Sequence, residues 1–299
     1  MTNKVGLVLC LVVLRFHPAV VAGTLKPETK AAWDAYLQDA TAAMQARLKP
    51  GVHFLWIDEE PDRAAFVRTH GPYIAPVGPH IPKKVPSGLI HDWIGVGFVP
   101  NAKIEDILRV VRDYDRYKDV YRPGVIDSIS HGTDGPKDLF TLRLANRSVV
   151  AKTALDTDCE ASYIRVDDRH WYGFSNTIHI QEIEKFGTPQ QRTLPEDEGT
   201  GLIWRLSSIT RLEERDGGVY AELEAIALSR DIPAAFRVFV TPIVRRVSRD
   251  SMATSLQQTK VALDAEMASR TAADTVVSRQ KNSMASQVVG THESLRHTQ

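Results

Sequence analysis

Residues 202–247 read LIWRLSSITRLEERDGGVYAELEAIALSRDIPAAFRVFVTPIVRRV. Leu202, Trp204 and Leu206 fall at alternate positions, the period of a strand with one buried face. Asp216-Gly217-Gly218 comes next, and an Asp-Gly pair supplies the positive φ values of a tight hairpin turn. The strand ending near Glu214 and the one beginning at Val219 should therefore be antiparallel neighbours. Val219, Ala221, Leu223 and Ala225 share one face of the second strand and Glu222 and Glu224 the other, so the two acids are expected to face outward. After Asp231-Ile232-Pro233 the apolar period changes from two to three and four. Phe236, Phe239, Val240, Ile243, Val244 and Val247 then form a helical stripe that continues to Met252, Leu256 and Leu263. Pro233 suits a first helical turn, and Pro242 should kink the helix near residues 238–242.

Upstream of that hairpin the strand period recurs. Ile90, Ile94, Val96 and Phe98 alternate, and after Pro100-Asn101 a short helix is expected over Lys103–Asp113, with Ile104, Ile107, Leu108 and Val111 on its apolar side. A second short helix should cover Tyr114–Val120. Val125–Ser130, then Phe140, Leu142 and Leu144 across a turn at His131–Pro136, read as further strands, followed by Val149–Asp156, Glu160–Val166 and Trp171–Ile183. Gly187–Thr200 reads as a loop.

Nearer the start, Trp33, Leu37, Ala40, Met44 and Leu48 mark one face of an amphipathic helix over Pro27–Lys49 that Pro50-Gly51 ends. Six prolines between residues 51 and 87 argue for an irregular connector, with one short strand at His53–Ile57. Lys4, the apolar run Val5–Leu14 and Val20-Val21-Ala22-Gly23 match a secretory signal peptide cleaved after Ala22. The apolar run, about ten residues, is well short of the roughly 20 of a membrane-spanning helix. The expected organisation is a signal peptide at 1–22, an N-terminal helix and connector at 23–87, the main domain at 88–264, and a polar, disordered tail at 265–299. An exported, soluble protein, periplasmic or secreted, is implied.

Composition narrows the function. The 299 residues hold 37 basic and 37 acidic side chains, so no net field attracts nucleic acid. Of the two cysteines, Cys10 leaves with the signal and Cys159 remains alone, so no intramolecular disulfide is expected. Gly173-Phe174-Ser175-Asn176 lacks the closing glycine of a nucleophile elbow, and Gly95-Val96-Gly97 lacks the third glycine of a dinucleotide fingerprint. The histidines form no metal-binding spacing. Asp156, Asp158 and Glu160 share a strand face and read as solvated or ion-paired rather than as a cation site. Arg245, Arg246 and Arg249 read as a solvated helix face. No cofactor, metal site or catalytic centre is predicted.

The order of elements resembles the START-like (SRPBCC, helix-grip, polyketide cyclase-like) superfamily over about residues 88–264. Asp113-Tyr114-Asp115-Arg116-Tyr117 with Pro123-Gly124-Val125, and Asp216 through Tyr220 running to Asp231-Ile232-Pro233, carry the likeness. The resemblance implies an α+β fold, a curved antiparallel β-sheet wrapped around a long C-terminal α-helix, with an N-terminal helical extension in this chain. It implies an apolar cavity for a lipid, sterol or polycyclic molecule, with transient membrane contact compatible. If the alternating faces point inward, the ligand-binding lining is Phe98, Phe140, Leu142, Leu144, Tyr172, Phe174, Ile178, Trp204 and Leu206, closed by Phe236, Phe239, Val240 and Ile243. Asn176, Ser208 and Thr210 are the polar candidates on the same parities. Two other classes stay open. One is a cyclase or aromatase using the same cavity, with Asn176, Tyr172 and Tyr163 assisting proton transfer. The other is an envelope interaction module whose core is filled.

Overall fold

In the computed structural model, which describes residues 23–147, 152–232, 242, 244–270 and 272, a set of long antiparallel strands carries helices on both faces. In chain order the elements are β1 (Gly23–Thr24), α1 (Pro27–Ala46), α2 (Arg63–His70), β2 (Tyr73–Pro76), β3 (Lys83–Val85) and β4 (Gly88–Pro100). Next come α3 (Ile104–Val111), α4 (Tyr117–Val120), β5 (Val125–Asp134), β6 (Lys137–Arg147), β7 (Lys152–Arg165) and β8 (His170–Glu184). The chain continues through β9 (Arg192–Thr193), β10 (Glu198–Gly199), β11 (Arg205–Arg215) and β12 (Gly218–Arg230) to a long helix, α5, over 244–270. The signal segment at 1–22 and the expected helix start at Pro233, with Phe236, Phe239, Val240 and Ile243, lie outside the described residues.

The hairpin forms as its chemistry requires. Asp216 and Gly217 have φ of 54° and 75°, and β11 pairs with β12 without interruption from Arg205↔Leu228 to Arg215↔Gly218. The main sheet has the order β2-β4-β12-β11-β8-β7-β6-β5, so the last long strand lies beside the first. Helices α3 and α4 make the connection from β4 to the opposite edge at β5. The two strands expected around residues 149–166 are one, β7, which passes a bulge opposite β8 between Asp158 and Cys159. The expected strand at His53–Ile57 is not formed. Trp56–Glu59 is a 3-10 turn, whose Trp56 N–H donates to Glu222 Oε2 at 2.8 Å instead of to a neighbouring strand. The proline-rich connector also holds α2, β2 and β3, the two strands capping the free edge of β4.

Strand pairing defines two faces. On the inner face, α5 seats Met252 and Leu256 against Gly95, where an added Cβ would lie 2.7 Å from the Met252 sulfur. Leu263 of α5 packs with Val99, Val219, Leu212 and the apolar side of α3. On the outer face, the stripe of α1 lies across β4, β12, β11 and β8. Trp33 packs with Ile90, Ile226 and Leu228, and Met44 packs with Tyr172 and Ile209. Leu55, Ile57 and Val67 extend this cover over Val96 and Tyr220. The sheet thus has apolar cover on both faces.

Trp33 is the largest apolar side chain that α1 contributes to this outer core, and it is 4% exposed. Trp33→Ala should therefore lower stability in denaturant unfolding by about 3–5 kcal/mol, the cost of a large core truncation. A change below about 1 kcal/mol, the scale of an ordinary surface substitution, would mean that α1 does not belong to the cooperative fold.

Candidate functional site

Side chains facing α5 follow from the pairing. On β12 they are Val219, Ala221, Leu223, Ala225 and Ala227; on β11, Leu206, Ser208, Thr210 and Leu212; on β4, Trp93, Gly95, Gly97 and Val99. Trp171, Gly173 and Ser175 of β8 continue the face, then Tyr163 and Ala161 of β7. Small residues dominate its middle, and where no neighbouring side chain moves in, as Met252 does at Gly95 and Tyr163 at Gly173, they leave open volume. Gly97 is the clearest case, since a Cβ added there would have no atom within 4 Å. Beside it lies a cavity of about 330 Å³ lined by Gly97, Val99, Ala221, Leu256, Thr259 and Leu263, with Arg68 and Lys260 also at its wall.

Toward β5 and β6 the inner face is aromatic. The Tyr114 ring stacks on Phe140 with centroids 4.0 Å apart, and Tyr117 and Tyr163 join the cluster with Leu142 and Cys159. Arg112 grips Asp138 through two hydrogen bonds of 2.8 and 2.7 Å, and the Tyr114 hydroxyl donates to the same carboxylate at 3.0 Å. Burial pushes the Cys159 thiol up to about 11, so it stays protonated at neutral pH and is a poor nucleophile. The Tyr121 hydroxyl meets Thr259 of α5 at 2.9 Å and ties the α3–α4 connection to the terminal helix.

The residues predicted to share one lining are divided between the faces. Phe140, Leu142, Leu144, Leu206, Ser208 and Thr210 lie on the inner face. Tyr172, Phe174 and Asn176 lie on the outer one, Tyr172 and Phe174 beneath α1 and Asn176 bonded to Ser207. Phe98 is also outer and packs on Tyr220 at 4.7 Å, although its position on β4 brings it to the edge of the 330 Å³ cavity. Ile178 sits beside the bulge and is 43% exposed. Trp204 does not look at α5. It precedes β11, and the chain turns at Gly201 (φ 68°), whose missing side chain leaves room for the indole. The ring then joins Trp33, Ile226 and Leu228 on the outer side. For Tyr172, Phe174 and Asn176 the physical reason is register: they alternate with Trp171, Gly173 and Ser175, which the pairing with β11 turns toward α5. Tyr163 is separated from Tyr172 and Asn176 for the same reason, and the three do not form one proton-transfer group.

Sequence reasoning missed Trp93, Gly95, Gly97, Ser175 and Trp171 as inner residues. The signal for them was the uninterrupted register that a two-residue turn imposes on β11 and β12, carried one strand further on each side. Asp156 pairs with Arg143 and Glu160 with Lys137, an ion-paired edge. Arg245 donates to the Ile81 carbonyl at 2.7 Å, so it is part of the α5 contact rather than a solvated face.

The strand order, the helices between the first and second long strands, and the terminal helix against the inner face define a START-like, helix-grip fold. No protein-family model matches the chain, and none of the curated proteins does. Among solved structures it is similar to the STAR-related lipid transfer protein (fragment 25–204) from Xanthomonas axonopodis, at 13% identity over 64% of this chain and 98% of that one, TM-score 0.43. It is also similar to the Zhui aromatase/cyclase from Streptomyces sp. R1128, at 9% identity over 60% and 96%, TM-score 0.42. Human STARD10 is a third, at 8% identity over 73% and 83%, TM-score 0.40. These are likenesses of fold.

The charged residues of the central strands lie on the outer face. Glu222 and Glu224 face outward as expected but are not solvated: Glu222 is 0% exposed. Arg211 donates from Nε to Glu222 Oε1 at 2.8 Å and from Nη2 to Glu224 Oε2 at 2.6 Å. Asp92, one strand over, accepts from the Tyr36 hydroxyl of α1 at 2.8 Å, while its other oxygen is buried without a hydrogen-bond partner. Removing water and the nearby Glu224 carboxylate push Asp92 up to about 7, against the weaker pull of Tyr36 and Arg211. The folded chain therefore binds a proton that the unfolded chain releases near pH 4, and folding stability should fall as pH rises from about 4 to 7. Asp92→Asn mimics the protonated form. It should raise the melting temperature at pH 8, by ~2–4 °C for each kcal/mol recovered, and do little at pH 4. An equal shift at both pH values would show that Asp92 is not the titrating group.

Proposed function

We propose that this protein binds or transfers a hydrophobic, lipid-like small molecule without covalent chemistry, on the face of the sheet that α5 covers. The observation that carries the reading is a difference in burial along β11 and β12. Leu206, Ser208, Thr210, Ala221, Leu223, Ala225 and Ala227 keep accessible surface on the inner side. Their outer neighbours Ser207, Ile209, Arg211, Tyr220, Glu222, Glu224, Ile226 and Leu228 are all buried. A sheet whose outer face is closed by its own side chains can leave part of its inner face to a ligand. Mostly apolar walls with a few hydroxyls are the usual makeup of such a site.

Gly97→Leu tests the location. The strand backbone accepts a side chain there and the space around it is open, so the variant should fold with an unchanged circular dichroism spectrum. Binding of fluorescent fatty acid, sterol or phospholipid probes that the native protein takes up should weaken by about tenfold or more, ~1.4 kcal/mol. Full retention of binding in the folded variant would place the ligand elsewhere.

We further propose that the protein works outside the cytoplasm, after removal of residues 1–22. The charged, apolar and small-residue regions of that segment support this reading. Terminal sequencing of the native protein should find Gly23 first, in a soluble fraction. An intact Met1 on membrane-bound material would overturn the export route.

A further inference from the structure

Trp93 lies on the inner face of β4 among Ile81, Ala225, Met252 and Leu256, 7% exposed, and its indole Nε1–H is buried without an acceptor. A buried donor in that state has given up water and received nothing in exchange, which native proteins mostly avoid. Its surroundings are also particular. The register sets Trp93 in one row with Ala225 of β12, Ser208 of β11, Ser175 of β8 and Ala161 of β7. Neighbouring strands are about 4.8 Å apart, so a single strand separates the indole from the Ser208 hydroxyl. That strand contributes a methyl group, Ala225, at this point.

The rows on either side carry no formal charge near this position. One contains Gly95, Leu223, Thr210 and Gly173; the other contains His91, Ala227 and Leu206. Burial holds the His91 imidazole down at about 4, neutral at physiological pH. The first acid in the Trp93 row is Asp138, already engaged by Arg112 and Tyr114. A carboxylate or phosphate brought here would lose its hydration with no cation in these rows to replace it. Arg245 of α5 donates to the Ile81 carbonyl, and Arg68 and Lys260 stand at the wall of the cavity beside Gly97.

Resting on the ligand-binding reading above, we propose that the inner face selects a neutral lipid bearing a carbonyl oxygen, an ester or ketone on an otherwise apolar body. Trp93 Nε1–H and the Ser208 hydroxyl donate to that oxygen. Met252 of α5 yields on entry, since an unbranched thioether repacks at low cost.

The test measures equilibrium uptake of three radiolabelled probes by the full chain: methyl palmitate, n-heptadecane, and palmitate at pH 8. Native protein should prefer methyl palmitate over heptadecane by roughly fivefold, the worth of about one hydrogen bond, and over palmitate by more. Trp93→Phe keeps the ring and removes the donor, so heptadecane uptake should persist while the preference disappears. Ser208→Ala, a milder change that decides the matter if the Trp93 variant does not fold, should lose about half of the preference. Equal uptake of ester and hydrocarbon, preference for the palmitate anion, or an unchanged preference in the folded variants would overturn the assignment while leaving ligand binding intact. Native protein that takes up none of the three would overturn the ligand-binding reading and this one with it.

Discussion

Strand β12 is paired along its whole length on both sides, with β4 from Gly218↔Pro100 to Arg230↔Gly88 and with β11 from Gly218↔Arg215 to Leu228↔Arg205. Joining the last long strand to the first sets which residues share a row, and a one-residue slip would exchange the two faces of every strand attached to it. Glycine then matters at two adjacent inner positions for opposite reasons. At Gly95 the missing side chain allows Met252 and Leu256 of α5 to come close, whereas at Gly97 it leaves the beginning of a cavity.

With the faces set, charge is segregated across the thickness of the sheet. Arg211, Glu222, Glu224 and Asp92 occupy the outer side under α1, and removing one partner from such a buried pair typically costs about 3–5 kcal/mol because the other is left uncompensated. Tyr36 from α1 and the Trp56 N–H from the following turn donate to Asp92 and Glu222, while one Asp92 oxygen is left without a partner. The N-terminal extension therefore replaces water over the central strands. The inner side is packed at its ends, by Leu263 with Val99, Val219 and Leu212 and by Tyr114 with Phe140, and carries small, neutral residues between them at Gly97, Ala221, Ala225 and Ser208.

Helix α5 is attached differently from α1. Its apolar contacts cluster around Met252 and Leu263, while its remaining ties run along the rim: Arg245 to Ile81, Gln258 to the Arg122 carbonyl at 2.5 Å, Tyr121 to Thr259, and Arg109 to Glu266 at 2.9 Å. Of these, the Gln258 and Arg109 ties are exposed, and exposed polar ties open at less cost than a buried apolar seam. The arrangement gives one firmly seated helix and one whose rim contacts border the cavity.

Local chemistry alone was enough to read the hairpin at Asp216-Gly217, the helical stripe from Trp33 to Leu48, the short helices after Pro100-Asn101, and a long helix through Met252, Leu256 and Leu263. A turn type, a cap or an amphipathic stripe is specified by residues a few positions apart. Which face of each strand looks inward was not determined that way. Alternation places Tyr172, Phe174 and Asn176 together but does not say on which side, and the choice fell to the side that α1 covers, about 130 residues away in sequence. Trp204 escaped for a related reason, since the turn at Gly201 breaks the alternation just before β11. The burial of Glu222 and Glu224 likewise needed Arg211 across the hairpin and α1 above it. Sequence determined the hairpin, the longer helices and the order of the long strands because those follow from neighbours along the chain; tertiary structure decided the lining, because burial of a face depends on what distant segment covers it.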